Sequence, residues 1–332
     1  MYKFAIIGCG RIAQRHAENI SRVGKLVAVC DIEKHKADEF ADQYQCKAWY
    51  SIDELLQQEK EVDVISVCTP NGLHAEHSIK SLQQGKHVLC EKPMCITSVA
   101  AWQMINTEKF SLKKMFVVKS ARFNSLLKHL KDLIEKGSLG NLYSFQLSCF
   151  WSRPKKYYED WHGSLFPDGG TLYTQFSHYI DALLWLFGEI DDVTGYRENK
   201  AHKDIIEFED TGTVAVKMKS SVLGTINWSV NTYKKNSEIS LTVIAEKGTF
   251  SLGGEYLNEL KYYQLDSSYK FPEGNTTPNQ YDGYKGSMSH HSEIYDNLVE
   301  SLNTESNSFS NSFDGLRTVE AIEKIYKSVP LL

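Results

Sequence analysis

The sequence predicts an α/β protein of two domains: a doubly wound parallel sheet first, then an α+β domain built on a large open, mainly antiparallel sheet. Three observations predict it. The 332 residues correspond to about two domains at roughly 150 residues each. Up to residue 121, short β-branched runs alternate with amphipathic helical stretches, the pattern of successive βαβ units. From residue 142 onward, extended segments of alternating polarity follow one another, several joined by short glycine-containing loops, as antiparallel strands are. The expected domains are therefore 1–121 and 122–332.

In the first domain the strand candidates are Phe4–Ile7, Leu26–Cys30, Val64–Cys68, His87–Cys90 and Phe116–Val118. Between them Ile12–Val23, Lys34–Tyr44, Ile52–Gln58, His74–Gln84 and Ser98–Phe110 repeat apolar residues at steps of three and four, which keeps one helix face inward. Ser125–Lys136 forms a further helix stopped at Gly137. The strand candidates of the second domain are Leu142–Phe150, Asp192–Tyr196, Gly212–Met218, Ser221–Val230, Glu238–Ala245 and Gly248–Leu252. An apolar helix over Gly170–Phe187 interrupts them, and Met288–Leu302 and Phe313–Lys327 are helical again. Residues 254–286, with many Tyr, Asn and Gly and weak periodicity, read as a long loop region.

Charge and composition exclude several classes of function. With 37 Lys and Arg against 42 Asp and Glu the net charge is −5, so no whole-molecule field draws the chain to phosphate backbones or anionic lipid. Nucleic-acid binding and membrane attachment are not expected. At 42% hydrophobic and 24% charged residues the composition is that of an ordinary globular protein, and most of the chain should fold. Met1–Gly8 runs directly into a strand with no basic n-region, and no stretch approaches 18 uncharged apolar residues, so neither export nor a membrane span is expected. Cys9, Cys30, Cys46, Cys68, Cys90, Cys95 and Cys149 all lie in the first half without C-x-x-C spacing. Reduced core thiols are expected, with no disulfide framework and no zinc site, and the cytoplasm is the expected compartment.

Gly8-Cys9-Gly10-Arg11-Ile12-Ala13 follows the first strand and opens the first helix as G-x-G-x-x-A. The first glycine makes the tight turn and the second lets backbone approach a pyrophosphate. Ala13 permits close helix–strand packing, and the helix N-terminus offers unpaired N–H groups to the anion. Asp31 ends the second strand about 20 residues further on, placed to accept from ribose hydroxyls and to repel a 2′-phosphate. This order points to a dinucleotide, and to NAD over NADP. Thr69-Pro70-Asn71 and Glu91-Lys92-Pro93 each close a strand at its carboxyl end, the rim where open α/β sheets bind ligands. Lys92 there is either a surface lysine before a turn proline or a cation for a substrate hydroxyl beside the nicotinamide.

Gly8–Ala13, Asp31, Thr69-Pro70-Asn71 and Glu91-Lys92-Pro93, with Asp168-Gly169-Gly170-Thr171-Leu172 running on to His178, Asp181 and Trp185–Gly188, resemble the Gfo/Idh/MocA oxidoreductase family. Its helix motif reads G-G-x-L-x-x-x-x-x-H-x-x-D, and the resemblance spans most of the chain. It implies an N-terminal Rossmann domain, a C-terminal α+β domain whose open sheet packs in homodimers or homotetramers, and NAD(P)-dependent oxidation of a CH–OH group. It implies His178 as catalytic base, and a histidine pKa near 6.5 suits removal of a hydroxyl proton. It implies Lys92 as a second catalytic group on the same oxygen, where a cation stabilises developing negative charge. Asp181, one helical turn after His178, either orients it or serves a local network. Cofactor contacts are implied at Gly8, Gly10, Arg11, Ile12, Asp31, Thr69, Asn71, His74, Glu91, Lys92 and Trp161, and substrate contacts at Lys92, Arg122, Asn124, Thr174, Gln175, His178 and Tyr284. No metal ligand is implied. Two positions depart from the family pattern. Thr174 stands where many relatives carry Asp or Asn, so no carboxylate is expected to act there, and Trp161-His162 stands for the family's Trp-Arg.

Thr174–His178, Tyr284–Met288 and His291 resemble branches of the family that oxidise C3 of UDP-N-acetylhexosamines or their uronates in polysaccharide and lipopolysaccharide biosynthesis. Such a substrate needs cations for its diphosphate and an aromatic platform for uracil, and Arg122, Arg153, Lys155, Lys156 and Tyr157 offer both. Arg153–Lys156 reads equally as a solvated charged turn. The expected function is NAD-dependent oxidation of a sugar hydroxyl to a ketone, at C3 of a UDP-N-acetylaminosugar or its uronate. A dehydrogenase of free sugars or inositols, and a non-catalytic NAD-binding regulator, stay open beside it.

Overall fold

The computed structural model describes residues 1–265, 278–281, 284–288, 290–304 and 310–332, the segments within 278–288 by their backbone alone. Packing divides the chain into two units. One joins Met1–Lys119 to His291–Val319, and the other joins Ser120–His290 to Glu320–Leu332.

The first unit alternates β1 (Lys3–Ile7), α1 (Ala13–Val23), β2 (Lys25–Cys30), α2 (Lys34–Tyr44), β3 (Lys47–Trp49), α3 (Ile52–Gln58), β4 (Val64–Val67), α4 (His74–Gln83), β5 (His87–Cys90), α5 (Ser98–Ser111) and β6 (Met115–Val117). All neighbouring strands are parallel, in the order β3-β2-β1-β4-β5-β6. With helices on both faces the central strands are apolar throughout, and Phe4, Ala5, Ile6, Val64 and Ile65 are fully buried. The order of strands reverses between β1 and β4, which opens a crevice beyond their carboxyl ends. β3 escapes sequence reading because three residues are too few for a period to register. Residues 310 and 311 close the far edge, where the Val117 N–H donates to the Ser310 carbonyl at 2.9 Å and Phe116 bridges Asn311.

The second unit opens with α6 (Ser125–Glu135) and β7 (Leu142–Phe150), then a single turn, α7 (Leu165–Asp168). A π-helical turn over Leu172–Phe176 leads into α8 (Ser177–Phe187), so the helix expected from Gly170 is two helical forms joined end to end. Strands β8 (Ile190–Glu198), β9 (Thr211–Met218), β10 (Leu223–Ser229), β11 (Glu238–Ala245), β12 (Gly248–Gly253) and β13 (Glu259–Leu265) follow. With β7 they form one sheet in the order β13-β12-β11-β7-β10-β9-β8. Every pair is antiparallel except β7 with β10, which are parallel. Between those two the chain passes through the helices and two strands, the long crossover that a parallel pair requires. One face carries the core: Phe145 stacks on Phe187 at 4.7 Å, and Trp151 packs on Phe176, Tyr179 and Tyr256. On the other face alternate residues of β9 and β10 are exposed.

The stretch 254–286, expected to be loop, contains β13 and parts of two short paired strands, β14 (Pro278–Tyr281) and β15 (Tyr284–Met288). β13 is exposed or half-buried along its whole length, so it shows no inward–outward alternation for a periodicity reading to find. Met288 belongs to β15, and helix α9 starts later, at His291–Thr304. It packs on α1, so residues 291–319, which a single cut after residue 121 leaves in the second domain, pack with the first. The last helix, α10 (Ser312–Ser328), is shared between the units at Val319–Glu320.

Candidate functional site

On the first unit the expected cofactor residues gather at the carboxyl ends of β1, β2, β4 and β5. Gly8 has φ +93, and a Cβ on it would lie 2.7 Å from the carbonyl carbon and oxygen of Cys68. Only glycine fits there. At Gly10 a Cβ would meet nothing within 4 Å, so the turn presents bare backbone to open space. The Cys9 N–H donates to Asp31 Oδ2 at 2.8 Å, and the Glu33 N–H donates to Oδ1 at 2.9 Å. The carboxylate is thus fixed beside the glycine turn. Open backbone, a helix start and an oriented acid suit the pyrophosphate and ribose of a dinucleotide. Arg11 is exposed and Ile12 half-buried at the head of α1.

His74, expected to touch cofactor, instead ties two loops together. Its Nδ1 lies 2.7 Å from the Pro93 carbonyl and its Nε2 2.7 Å from the Thr69 carbonyl. Burial pushes its pKa down while the two carbonyls pull it up. Thr69 Oγ1 is 3.1 Å from His77 Nδ1, and Asn71 is buried at the turn that follows. Lys92 is half-buried, and its peptide bond to Pro93 is cis. Glu91, also expected at the cofactor, has both carboxylate oxygens engaged by protein groups. Its Oε1 accepts from His16 Nε2 at 2.9 Å and from His291 Nε2 at 3.1 Å, and its Oε2 accepts from the Lys92 N–H at 3.1 Å. Burial alone would raise its pKa, but the two imidazole hydrogen bonds outweigh that and hold it well below the usual carboxylate range.

On the second unit His178 is the second residue of α8 and is buried. The turn leading into it is anchored by Tyr326. Gly170 has φ +122, and a Cβ there would lie 2.7 Å from the Tyr326 hydroxyl. That hydroxyl accepts from the Leu172 N–H at 2.9 Å and donates to Glu209 Oε1 at 2.7 Å. Arg197 Nη1 reaches Glu209 Oε2 at 3.1 Å. Burial pushes the Glu209 carboxyl up to about 7, against the pull of Tyr326 and Arg197. The hydroxyl of Thr174 donates to the carboxylate of Asp168, which also accepts from the Gly163 N–H at 2.9 Å. The Thr174 hydroxyl is therefore tied to a buried carboxylate six residues earlier. Burial raises its pKa.

Several expected substrate contacts are committed to the interior of this unit. Arg122 grips Asp181 in a two-point fork, Nε to Oδ2 at 2.8 Å and Nη2 to Oδ1 at 2.9 Å, with both side chains buried. Asn124 caps α6, accepting from the N–H groups of Leu126 and Leu127 and donating to the Leu257 carbonyl. Gln175 accepts from Arg153 Nε at 2.7 Å and donates to the Tyr157 hydroxyl at 2.8 Å. Arg153 lies over the rings of Trp151 and Tyr157, so this cation and this aromatic serve each other, while Lys155 and Lys156 stay exposed. Trp161 stacks on His162 at 3.8 Å. The side chain of Tyr284 lies outside the described residues.

Sequence reading singled out neither His16 nor Glu209 or Tyr326, and it named Asp168 only as the start of the glycine motif. His16 shares the buried face of α1 with Ala13, Ala17 and Ile20. A histidine at an apolar position is a signal that was there to find. Glu209 and Tyr326 are far apart in sequence, and no local pattern joins them.

The family description "Oxidoreductase family, NAD-binding Rossmann fold" matches residues 2–119, and the GFO/IDH/MocA C-terminal domain matches residues 127–251. The WlbA dehydrogenase of Chromobacterium violaceum, solved with NADH and UDP-GlcNAcA, is 32% identical with a TM-score of 0.89, covering 98% of this chain and 93% of that one. The WlbA dehydrogenase of Bordetella pertussis, solved with the same two ligands, is 30% identical with a TM-score of 0.88, covering 98% and 96%. The glucose-6-phosphate 3-dehydrogenase of Bacillus subtilis is 29% identical over 98% of this chain and 96% of its own length. With its fingerprint turn, its oriented acid and both halves matched, this chain belongs to the Gfo/Idh/MocA family of oxidoreductases, with an NAD-binding Rossmann domain at its N-terminal side.

Proposed function

We propose that this enzyme oxidises the C3 hydroxyl of a UDP-N-acetylaminosugar or its uronate, as one step toward a surface polysaccharide. The observation that carries the reading is the full-length likeness to the two WlbA dehydrogenases solved with NADH and UDP-GlcNAcA. NAD, when bound, accepts the hydride. Lys92, at the end of β5, donates to the reacting oxygen and stabilises its developing negative charge. His178 takes the hydroxyl proton. Thr174, with its own proton engaged by Asp168, offers lone pairs to a sugar hydroxyl or amide N–H. Asp31 receives the ribose hydroxyls, and Ile32, 87% exposed beside it, flanks the adenine.

The bare face of the second unit's sheet has a depression of about 530 Å³, lined by residues that include Gln146, Thr194, Ala215, Leu223 and Ile244. This supports association of two or four copies, which light scattering would register as a multiple of the monomer mass.

The deciding experiment supplies UDP-GlcNAcA, UDP-N-acetylhexosamines, glucose 6-phosphate, free hexoses and inositol with NAD and follows NADH absorbance. Preferential oxidation of a UDP-sugar is expected. His178→Asn and Lys92→Ala should abolish turnover while NADH still binds. Preference for glucose 6-phosphate would overturn the nucleotide-sugar assignment. That second reading is favoured by the full-length likeness to the Bacillus subtilis enzyme.

A further inference from the structure

His16, Glu91 and His291 come from α1, the end of β5 and the start of α9, and none is more than 6% exposed. One nitrogen from each imidazole and one oxygen of the carboxylate lie within 4.8 Å of one another, close enough for a metal centre. The proton inventory argues otherwise. A carboxylate oxygen only accepts, so both Nε2 atoms at 2.9 and 3.1 Å must carry hydrogen. His16 Nδ1 is hydrogen-bonded to the Tyr295 hydroxyl at 2.8 Å, and that hydroxyl to the hydroxyl of Ser66 at 2.9 Å. His291 Nδ1 is buried and has no partner among the described residues. A metal-bound imidazole donates its other N–H to an acceptor. His291 bound through Nε2 would bury that N–H unmet, whereas the Nε2–H tautomer leaves only a bare lone pair. Both Nε2–H groups are thus spent on Glu91, which leaves no ring nitrogen of the pair turned to a metal at the carboxylate.

The free oxygen of that carboxylate, Oε2, accepts the backbone N–H of Lys92. Resting on the assignment of Lys92 as the group that meets substrate, we infer that Glu91, His16 and His291 form a positioning unit that fixes the backbone of Lys92. The other titratable groups close to Glu91 are Cys68, Cys90, Tyr295 and His74. Cys68, Cys90 and Tyr295 are held neutral by burial, while both ring nitrogens of His74 face the Pro93 and Thr69 carbonyls rather than the carboxylate. Glu91→Gln cannot reproduce the pattern. Its amide offers one acceptor and one donor edge where three N–H groups converge, so either Lys92 or the histidine pair loses its acceptor.

The test compares Glu91→Gln, His291→Gln, His291→Ala and Lys92→Ala, using UDP-GlcNAcA and NAD for turnover, NADH fluorescence for binding, and 13C-methylated lysine NMR. The Lys92 resonance is assigned by its loss in Lys92→Arg and needs no turnover. Glu91→Gln and His291→Ala should lower kcat at least 30-fold, hold the NADH Kd within about threefold and move the Lys92 resonance. His291→Gln, which restores an N–H at the same reach, should stay within about threefold of wild type. An unmoved Lys92 resonance in Glu91→Gln overturns the inference, as does stoichiometric zinc in the wild type that His291→Ala removes. Wild-type turnover in Lys92→Ala would instead overturn the assignment of Lys92 itself.

Discussion

His74 is bonded to Pro93: its Nδ1 lies 2.7 Å from the proline carbonyl, and the opposite ring nitrogen lies as close to the carbonyl of Thr69. One imidazole thus staples the loop after β4 to the loop after β5. Replacing it with alanine strips two carbonyls of their donor, at about 1–3 kcal/mol for each group left unsatisfied. His74→Ala should lose about 2–6 kcal/mol in urea unfolding and weaken NADH binding about tenfold in a fluorescence titration.

The two glycines of the fingerprint turn should fail in different ways. Gly8→Ala places a Cβ against the Cys68 carbonyl at a left-handed φ, so the melting temperature should fall and NADH binding with it. Gly10→Val extends into open space, so folding should be preserved while NADH affinity drops at least tenfold. Calorimetry and fluorescence on both variants separate the outcomes.

Arg122 and Asp181 form a buried ion pair. Removing one partner leaves an uncompensated charge inside the unit, at about 3–5 kcal/mol. Asp181→Ala should show that loss in denaturant unfolding. The double variant Arg122→Met/Asp181→Leu should be markedly more stable than Asp181→Ala.

Glu209 sets a pH dependence whose sign is fixed by its environment. Its carboxyl is held up to about 7 in the fold against an ordinary 4.5, so the folded state binds the extra proton between those values. The cost is absent below about pH 4.5, grows as pH rises, and is complete above about pH 7. Glu209→Gln does not ionise. Its stability relative to wild type should therefore improve between pH 5 and pH 8 by on the order of 3 kcal/mol, read from paired urea titrations.

Much of the fold was legible because the patterns are local. The βαβ alternation, the fingerprint turn and the alternating strands each declare themselves within a dozen residues, and Asp31 and Lys92 follow from being at strand ends. The interior contacts were not legible, because an arginine reads the same whether it meets a phosphate or a buried aspartate. Arg122, Asn124 and Gln175 carry the chemistry of ligand contacts and are held by protein partners of that same chemistry, and Arg153, which reads equally as part of a solvated turn, is buried over Trp151 and Tyr157. The bond from Thr174 to Asp168 forms because a short helix and two glycines fold the chain back, which spacing alone does not reveal.

The division of α10 at Val319–Glu320 and the return of His291–Val319 to the first unit have a consequence during synthesis. The nascent chain leaves the ribosome with its first 119 residues long before the helices that complete their packing. Roughly 170 residues intervene, on the order of 10–30 s at cellular translation rates. Until then His16 and Ser66 wait without Tyr295, and a fragment ending near residue 121 would stay in that unfinished condition permanently.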